Sequence, residues 1–254
     1  MTSPLQGKAA LVTGASKGIG RAAAGRLARD GAFVILTYAS DRRGADEAVR
    51  SIEAGGGKAV AVQADISALA GIKNLFSGVD AALAKNGFKS LDILVNNAGI
   101  YPMGTLFDTT EEVFDKTFGV NVKGLFFTTQ EGVRRMGVGG RVINISTTLT
   151  RVGSGAMLAY SASKGAVDVL TRDMAVSLGP KGITVNAVNP GLVRTEGTAG
   201  MTASGDTVSY FSSQTALGRL GEPDDIADVV AFLAGDNSRW ITAQTIEASG
   251  GYHL

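Results

Sequence analysis

Short apolar segments recur along the chain and alternate with longer segments in which apolar residues repeat at helical spacing. The short segments are bounded by Gly, Asp or Asn, as is typical of strands buried on both faces. They predict strands at Ala9–Thr13, Phe33–Tyr38, Ala59–Gln63, Ile93–Asn96, Arg141–Ser146, Ile183–Asn189 and Gln244–Glu247. The longer segments predict helices near 19–30, 42–54, 68–86, 111–136, 160–179 and 224–234, with Gly31, Gly55 and Gly87 at C-cap positions.

This alternation of strand and helix predicts an α/β fold, a doubly wound (Rossmann) parallel sheet of about seven strands with helices on both faces. Residues 1–254 contain no repeat, low-complexity tract or linker-like stretch, so we expect a single domain. In such sheets ligands bind beyond the carboxyl ends of the strands.

One segment interrupts the alternation. Residues 192–217 are rich in Gly, Ser and Thr, and their helical pattern is weak. A flexible surface loop would fit this composition. Because the segment directly follows a predicted strand, at the edge where active-site loops lie, we expect instead a lid that closes over a substrate.

Composition excludes several classes of protein. The 254 residues include no Cys and one His, so thiolate chemistry, a Ser-His-Asp triad and a multi-His metal site do not fit. A formal net charge of +1 provides no basic surface for nucleic acid. No apolar run approaches the ~18 residues of a membrane span, and the amino-terminal sequence lacks a signal-peptide core. We expect a cytoplasmic protein with no metal, nucleic-acid or membrane partner.

The first candidate site is a glycine-rich turn between the first predicted strand and its helix. Its sequence is Gly14-Ala15-Ser16-Lys17-Gly18-Ile19-Gly20. Glycine lets a phosphate approach the backbone, and the N–H groups that open a helix attract a pyrophosphate. The spacing is G-x-x-x-G-x-G, which differs from the common G-x-G-x-x-G fingerprint. Together with its position after a strand, the turn predicts a dinucleotide site.

The end of the second predicted strand bears on which dinucleotide binds. An NAD site carries an acid about 20 residues beyond the glycines, but here Tyr38 is followed by Ala39 and Ser40. Lys17 and Arg42 can instead meet a 2′-phosphate together with the Ser40 hydroxyl. The alternative interpretation is that Lys17 and Arg42 are solvated surface charges without a ligand. We predict NADP(H) rather than NAD(H).

Tyr160 and Lys164 are the candidate acid/base pair. Their i,i+4 spacing places them on one face of a helix. A phenol has a pKa of ~10, and a neighbouring ammonium lowers it, so such a pair can transfer protons without a His. A chance surface pair has the same spacing, but this one follows the strand Arg141–Ser146, which ends in hydroxyl residues.

Together these elements resemble the short-chain dehydrogenase/reductase family over essentially the whole chain. Each motif is weak alone, and the set is specific. The matching elements are Thr13–Gly20, Asp65, Asn96-Asn97-Ala98-Gly99, Asn121, the hydroxyl residues 146 and 147, Tyr160 with Lys164, Pro190-Gly191 with Thr195, 218–223 and 249–251. The resemblance implies an oxidoreductase that interconverts a carbonyl group and a secondary alcohol by hydride transfer.

The resemblance also implies catalytic roles. Tyr160 is expected to protonate the carbonyl oxygen, and Lys164 to lower the pKa of Tyr160 and hold the nicotinamide ribose. Asn121 is expected to anchor a water that relays protons toward Lys164. The substrate-polarising hydroxyl lies 13 residues before the Tyr in relatives, which selects Thr147 over Ser146 here.

Further implied features concern the cofactor, the subunits and departures from the family pattern. The cofactor contacts implied are Asp65 and Ile66 at the adenine, Asn97, Ala98 and Gly99 on the adenosine side, and Pro190, Gly191, Val193 and Thr195 at the nicotinamide. A homotetramer is implied, and Phe126, Phe127, Ala166, Val167 and Val169 supply apolar surface for it. Ser249 replaces the usual Asp and Ala243 the usual Gly, while His253 is expected to be a tail residue without a catalytic role.

The substrate stays open at this point. A 3-oxoacyl-carrier-protein reductase would use basic residues, for which Arg134, Arg135 and Lys181 are available although 138–140 is neutral. The stretch Tyr38-Ala39-Ser40 resembles polyhydroxynaphthalene reductases, and sugar or polyol dehydrogenases share much of the pattern. A non-catalytic dinucleotide sensor is disfavoured because both Tyr160 and Lys164 are present. Fold and motifs do not choose among the enzymes.

Overall fold

The computed structural model describes residues 3–254. Seven parallel strands form one sheet in the order β3-β2-β1-β4-β5-β6-β7, which confirms the predicted fold. The strands are β1 (Ala9–Val12), β2 (Phe33–Tyr38), β3 (Lys58–Gln63), β4 (Leu91–Asn96), β5 (Met136–Ile145), β6 (Thr184–Pro190) and β7 (Thr245–Ala248).

Helices cover both faces of the sheet. They are α1 (Gly18–Arg29), α2 (Arg42–Ala54), α3 (Leu69–Lys85), α4 (Glu111–Phe118), α5 (Leu125–Val133), α6 (Leu158–Leu178), α7 (Ala199–Thr202), α8 (Gly205–Ser213) and α9 (Pro223–Ala234). Leu27 of α1 and Ile226 of α9 pack on one face of the sheet, whereas Phe76 of α3 and Ala175 of α6 pack on the other.

The single helix predicted over 111–136 is wrong. A π-helical turn at Gly119–Gly124 separates α4 from α5, and β5 already begins at Met136. Gly124, the last residue of this turn, packs closely on the segment after β3, because a Cβ there would lie 2.8 Å from the carbonyl oxygen of Ile66. Such turns are frequent at functional sites, and this one contains Asn121.

The segment 192–217 is more regular than its composition suggests. It contains α7 and α8, and the Ser204 side chain caps α8 by accepting from the N–H of Thr207. Short helices opened by a hydroxyl cap leave little apolar periodicity in the sequence, which is why the pattern is weak.

The predicted C-cap glycines behave differently from one another. Gly31 and Gly87 follow α1 and α3 with φ of +99° and +78°, which is the left-handed region that glycine tolerates best. Gly55 has an ordinary φ of −82°, and Gly56 adopts the left-handed conformation after α2.

The strand order reverses between β1 and β4, whose carboxyl ends therefore flank the crevice in which ligands of such sheets bind. Among residues 3–254, none of the helices has the length and apolarity to cross a bilayer.

Candidate active site

Tyr160 and Lys164 lie on the first two turns of α6, beside the end of β5. Lys164 is only 4% exposed. Its Nζ donates to the carbonyl oxygen of Ile145 at 2.7 Å and lies 6.0 Å from the centre of the Tyr160 ring. The end of one strand and the start of one helix therefore bring the predicted pair together.

Burial shifts the pKa values of Tyr160 and Lys164 in opposite directions. It raises the pKa of Tyr160 to about 12, and the hydrogen bond with the Thr147 side chain opposes that rise. It lowers the pKa of Lys164 to about 8, with the charge of Asp168 acting the other way. Desolvation of the phenolate dominates the pKa of Tyr160 here, and the lowering of that pKa by Lys164 stays a prediction. The phenol is therefore protonated at neutral pH, the form that can donate to a carbonyl.

The two hydroxyl residues after β5 point to different partners. The Thr147 side chain lines the cavity and opposes the rise in the pKa of Tyr160, and its hydroxyl oxygen accepts from the N–H of Leu149 at 3.3 Å. The Ser146 hydroxyl donates to the carbonyl oxygen of Lys164 at 3.3 Å, and Ser146 is 2% exposed. Successive side chains of an extended segment face opposite ways, and of the two hydroxyl residues only Thr147 acts on the pKa of the Tyr160 phenol.

Asn121 is fully buried in the π-helical turn. Its Nδ2 donates to the carbonyl oxygen of Ile100 at 2.8 Å and to the Ser163 hydroxyl at 3.0 Å, and its Oδ1 accepts from the N–H of Ile100. A Cβ on Gly99 would lie 3.2 Å from that Oδ1 and 3.5 Å from Nζ of Lys164. Asn121 thus joins the loop after β4 to α6 beside Lys164, and the water relay stays a prediction.

The glycine-rich turn has the shape of a phosphate cradle. Gly14 and Gly18 have φ of +63° and +56°. A Cβ on Gly14 would lie 2.8 Å from Cα of Ala98, and one on Gly20 would clash with Nδ2 of Asn97. That Nδ2 donates to the carbonyl oxygen of Gly14 at 2.9 Å, so the loop after β4 holds the turn. The N–H of Gly18, which opens α1, donates to a carboxylate oxygen of Glu196 at 3.0 Å, so the turn already binds an anionic group where a dinucleotide diphosphate is expected.

At the end of β2, Tyr38 is buried, while Lys17 and Ser40 are exposed. The Arg42 guanidinium is largely exposed, with its Nε 3.7 Å from a carboxylate oxygen of Asp46. The three polar side chains are thus available to a ligand at the edge where α1 and α2 begin.

Asp41 is a charged neighbour that the sequence reasoning missed. Its carboxylate accepts from the N–H of Gly44 at 3.0 Å and caps α2. That bond chiefly lowers the pKa of Asp41, with smaller contributions from Ser16 and Lys17. An Asp immediately before a predicted helix is a recognisable capping signal, so the sequence did contain the information.

The remaining expected cofactor residues follow β3, β4 and β6. Asp65 is exposed and accepts from the N–H of Ser67, whereas Ile66 is buried against Gly124. The cavity beside Tyr160 is lined by the residues expected at the nicotinamide, namely Pro190, Gly191, Val193 and Thr195. It is also lined by Ile19 of the glycine-rich turn and by Asn97 and Gly99, which were expected on the adenosine side. The other residues expected at the glycine-rich turn, the adenosine and its 2′-phosphate lie outside this cavity, namely Ser16, Lys17, Tyr38, Ala39, Ser40, Arg42, Asp65, Ile66 and Ala98.

The cavity has a volume of about 410 Å³ and a wall that the sequence reasoning also missed. Aromatic side chains come from three distant segments, namely Tyr101, Tyr210, Phe211, Tyr252 and His253. Tyr101 packs edge-on against Tyr160 with the ring centres 6.2 Å apart. Aromatic residues in weakly patterned loops leave no periodic signal, so only the fold reveals that they share one cavity.

Comparison with known proteins identifies the class. The family described as enoyl-(acyl carrier protein) reductase matches residues 14–253. An uncharacterised oxidoreductase of Methylorubrum extorquens is 48% identical over 98% of this chain and 99% of its own. The trihydroxynaphthalene reductase PfmaI of Pestalotiopsis fici is 40% identical over 98% of this chain and 90% of its own.

A solved structure gives the same result. The angucycline C-6 ketoreductase LanV with bound NADP is 42% identical, covers 100% of this chain and 98% of its own, and superposes with a TM-score of 0.95. The chain belongs to the short-chain dehydrogenase/reductase family and is an oxidoreductase.

Proposed function

We propose that the protein is an NADP(H)-dependent reductase that converts a ketone on a hydroxylated fused-ring aromatic compound to a secondary alcohol. The observation that carries this proposal is one cavity that contains Tyr160, Thr147 and Lys164 and is walled by aromatic side chains. Offset and edge-on contacts of such side chains suit a flat aromatic ligand.

The chain's own residues supply the proton and position the ketone. NADPH, when bound, supplies the hydride to the carbonyl carbon. Tyr160 donates its phenolic proton to the carbonyl oxygen as negative charge develops there, and Thr147 donates a second hydrogen bond to that oxygen. Lys164 lies beside Tyr160, stabilises the resulting phenolate and hydrogen-bonds the ribose. The reverse direction oxidises the alcohol by the opposite proton movement.

The residues near the glycine-rich turn fit NADP(H) better than NAD(H). The position of the ribose-binding acid is taken by Tyr38, and Lys17, Ser40 and Arg42 are available for a 2′-phosphate. The Asp41 carboxylate opposes a phosphate there, but its capping bond directs it toward α2. NADP is bound in the similar ketoreductase LanV.

The aromatic substrate is favoured over a carrier-bound one. Arg135 is paired with Asp80 at 2.6 Å and with Glu131, and Arg134 also pairs with Glu131. Lys181 follows the far end of α6, a 21-residue helix that spans ~30 Å from the cavity end. An acidic carrier would therefore meet little free positive charge near the cavity of the same subunit.

Two further features belong to the proposal. Residues 192–217 act as the substrate lid, because Thr198, Met201, Tyr210 and Phe211 from this segment line the cavity. The enzyme assembles as a homotetramer, for which Phe126 and Val169 offer exposed apolar surface, whereas Val167 is fully buried within the subunit.

The test is NADPH oxidation by the purified protein with 1-tetralone and its hydroxylated derivatives, compared with an acetoacetyl thioester and with fructose. We expect turnover with the tetralones and at least about tenfold lower kcat/KM with the other two. Preference for the thioester would replace the proposal with a carrier-protein reductase, and preference for fructose with a polyol dehydrogenase.

A further inference from the structure

His253 lies in the wall of the cavity that contains Tyr160. The imidazole packs edge-on against Tyr252 with the ring centres 4.3 Å apart. Within residues 3–254, neither of its ring nitrogens has a hydrogen-bond partner, although both could form one. The side chain is half-buried and forms part of the cavity lining.

The backbone holds His253 in an unfavourable conformation. Its φ is +49°, a left-handed value that costs a residue other than glycine free energy. Such outliers persist only where surrounding contacts enforce them, and they concentrate at ligand sites. In a mobile chain end this conformation would relax, so something fixes it here.

Arg151 fixes it. Its guanidinium donates to the carbonyl oxygens of Tyr252 and His253, both at 2.8 Å, and forms a two-point contact with the carboxylate of Glu247. The N–H of His253 donates to the carbonyl oxygen of Gln214 at 3.0 Å. The loop after β5, the last strand and α8 therefore all hold the chain end against the cavity.

We propose that His253 is a specificity-determining residue that hydrogen-bonds an aromatic hydroxyl group of the substrate, at a position distinct from the ketone that Tyr160 protonates. This inference rests on the proposed function. Aromatic rings in the cavity wall contact the fused ring system of the substrate wherever its hydroxyl groups lie. A fixed imidazole favours the isomer whose hydroxyl group it can hydrogen-bond. A site built to bond a hydroxyl disfavours the analogue that lacks it.

The experiment compares unsubstituted 1-tetralone with its 5-, 6-, 7- and 8-hydroxy derivatives as substrates, using wild type, His253→Phe and His253→Gln with NADPH. In wild type we expect one hydroxylated isomer to exceed 1-tetralone in kcat/KM by about tenfold. His253→Phe removes this preference while kcat/KM for 1-tetralone stays within about threefold. His253→Gln, which keeps a donor and an acceptor, retains part of the preference.

Leu254→Ala is the matched control, because Leu254 is the adjacent residue, is almost fully exposed and does not line the cavity. It should leave the preference unchanged. If His253→Phe lowers kcat/KM equally for all tetralones, or leaves the preference for the hydroxylated isomer unchanged, the role of His253 is overturned. A wild type that shows no preference for any hydroxylated isomer would also overturn it. Absence of wild-type turnover on every tetralone would instead overturn the proposed function.

Discussion

The carboxylate of Glu196 accepts a hydrogen bond from the N–H of Gly18 at 3.0 Å. Gly18 opens α1, and the first N–H groups of a helix, together with its dipole, attract anions. Glu196 also lies 3.9 Å from the guanidinium of Arg21. The segment that follows β6 thus places a negative charge at the turn proposed to bind the cofactor diphosphate.

Glu196→Gln should tighten NADPH binding by about threefold to tenfold. The carboxylate competes with and repels the diphosphate, and an amide does so much less. Titration of the purified protein with NADPH, followed by cofactor fluorescence at low and at high salt, measures the change, which should shrink as salt rises. Asp206→Asn removes the same charge from an exposed position of the same segment and should have little effect. Weaker binding in Glu196→Gln would show that Glu196 supports the cofactor.

Arg42→Ala should lower kcat/KM for NADPH by about tenfold and leave kcat/KM for NADH within about twofold. The guanidinium is proposed to contact the 2′-phosphate, and a charge-assisted hydrogen bond contributes ~1.5–3 kcal/mol before solvent screening. Arg43→Ala is the matched control, because Arg43 is the next residue, is more exposed and pairs with Glu47. Equal effects on the two cofactors would remove Arg42 from the 2′-phosphate site.

Thr147→Val should lower kcat by ~10²–10³-fold, as loss of one oxyanion donor typically does. Thr147→Ser keeps the hydroxyl and should stay active. Ser146→Ala should cost far less, because its hydroxyl donates to a backbone carbonyl rather than to Tyr160. Single-turnover reduction with saturating NADPH separates these variants, and a larger loss in Ser146→Ala than in Thr147→Val would reverse the assignment.

Tyr160→Phe should retain less than about a tenth of kcat while it still binds NADPH.

The sequence predicts the sheet well, and it names residues that the structure places together around Tyr160, because buried strands and short motifs are local patterns. It predicts α2 to the residue, and it selects Thr147 by counting from Tyr160. It misses what depends on contacts between distant segments. Glu196 meets Gly18 from 178 positions away, and His253 is held at the cavity by Arg151 and by the carbonyl oxygen of Gln214. No periodicity records either contact.

Ala243→Gly should stabilise the protein by about 1 kcal/mol. Ala243 has φ of +61°, where a Cβ costs ~1–2 kcal/mol, and the greater freedom of unfolded glycine offsets part of the gain. Glycine, the family's usual residue at this position, fits this backbone conformation. The alanine at position 243 therefore introduces local backbone strain. The midpoint temperature of thermal unfolding should rise by ~2–4 °C. Ala84→Gly makes the same chemical change on an exposed turn of α3 and should destabilise by ~0.5–1 kcal/mol. A lower unfolding temperature in Ala243→Gly would contradict the assignment of strain.

The stability contributed by Lys164 should increase with pH between about 8 and 10.5. In the folded protein burial lowers the pKa of Lys164 to about 8, and the unfolded value is 10.5. Below the folded value both states carry the proton, so folding buries a charge. Between the two values the unfolded state binds more protons than the folded state, which makes unfolding less favourable as pH rises. The full difference corresponds to about 3 kcal/mol.

Equilibrium unfolding in urea at pH 7.5, 8.5 and 9.5 measures this effect. As pH rises, the free energy of unfolding of wild type should increase relative to that of Lys164→Met. The pKa of Tyr160, raised to about 12, keeps the folded phenol protonated over this range in wild type. Its own contribution is present in both proteins and largely cancels in the comparison. Lys85→Met, at the exposed end of α3, serves as the control and should show no such trend. A difference between wild type and Lys164→Met that stays constant with pH would mean that Lys164 keeps its charge in the folded protein well above pH 8.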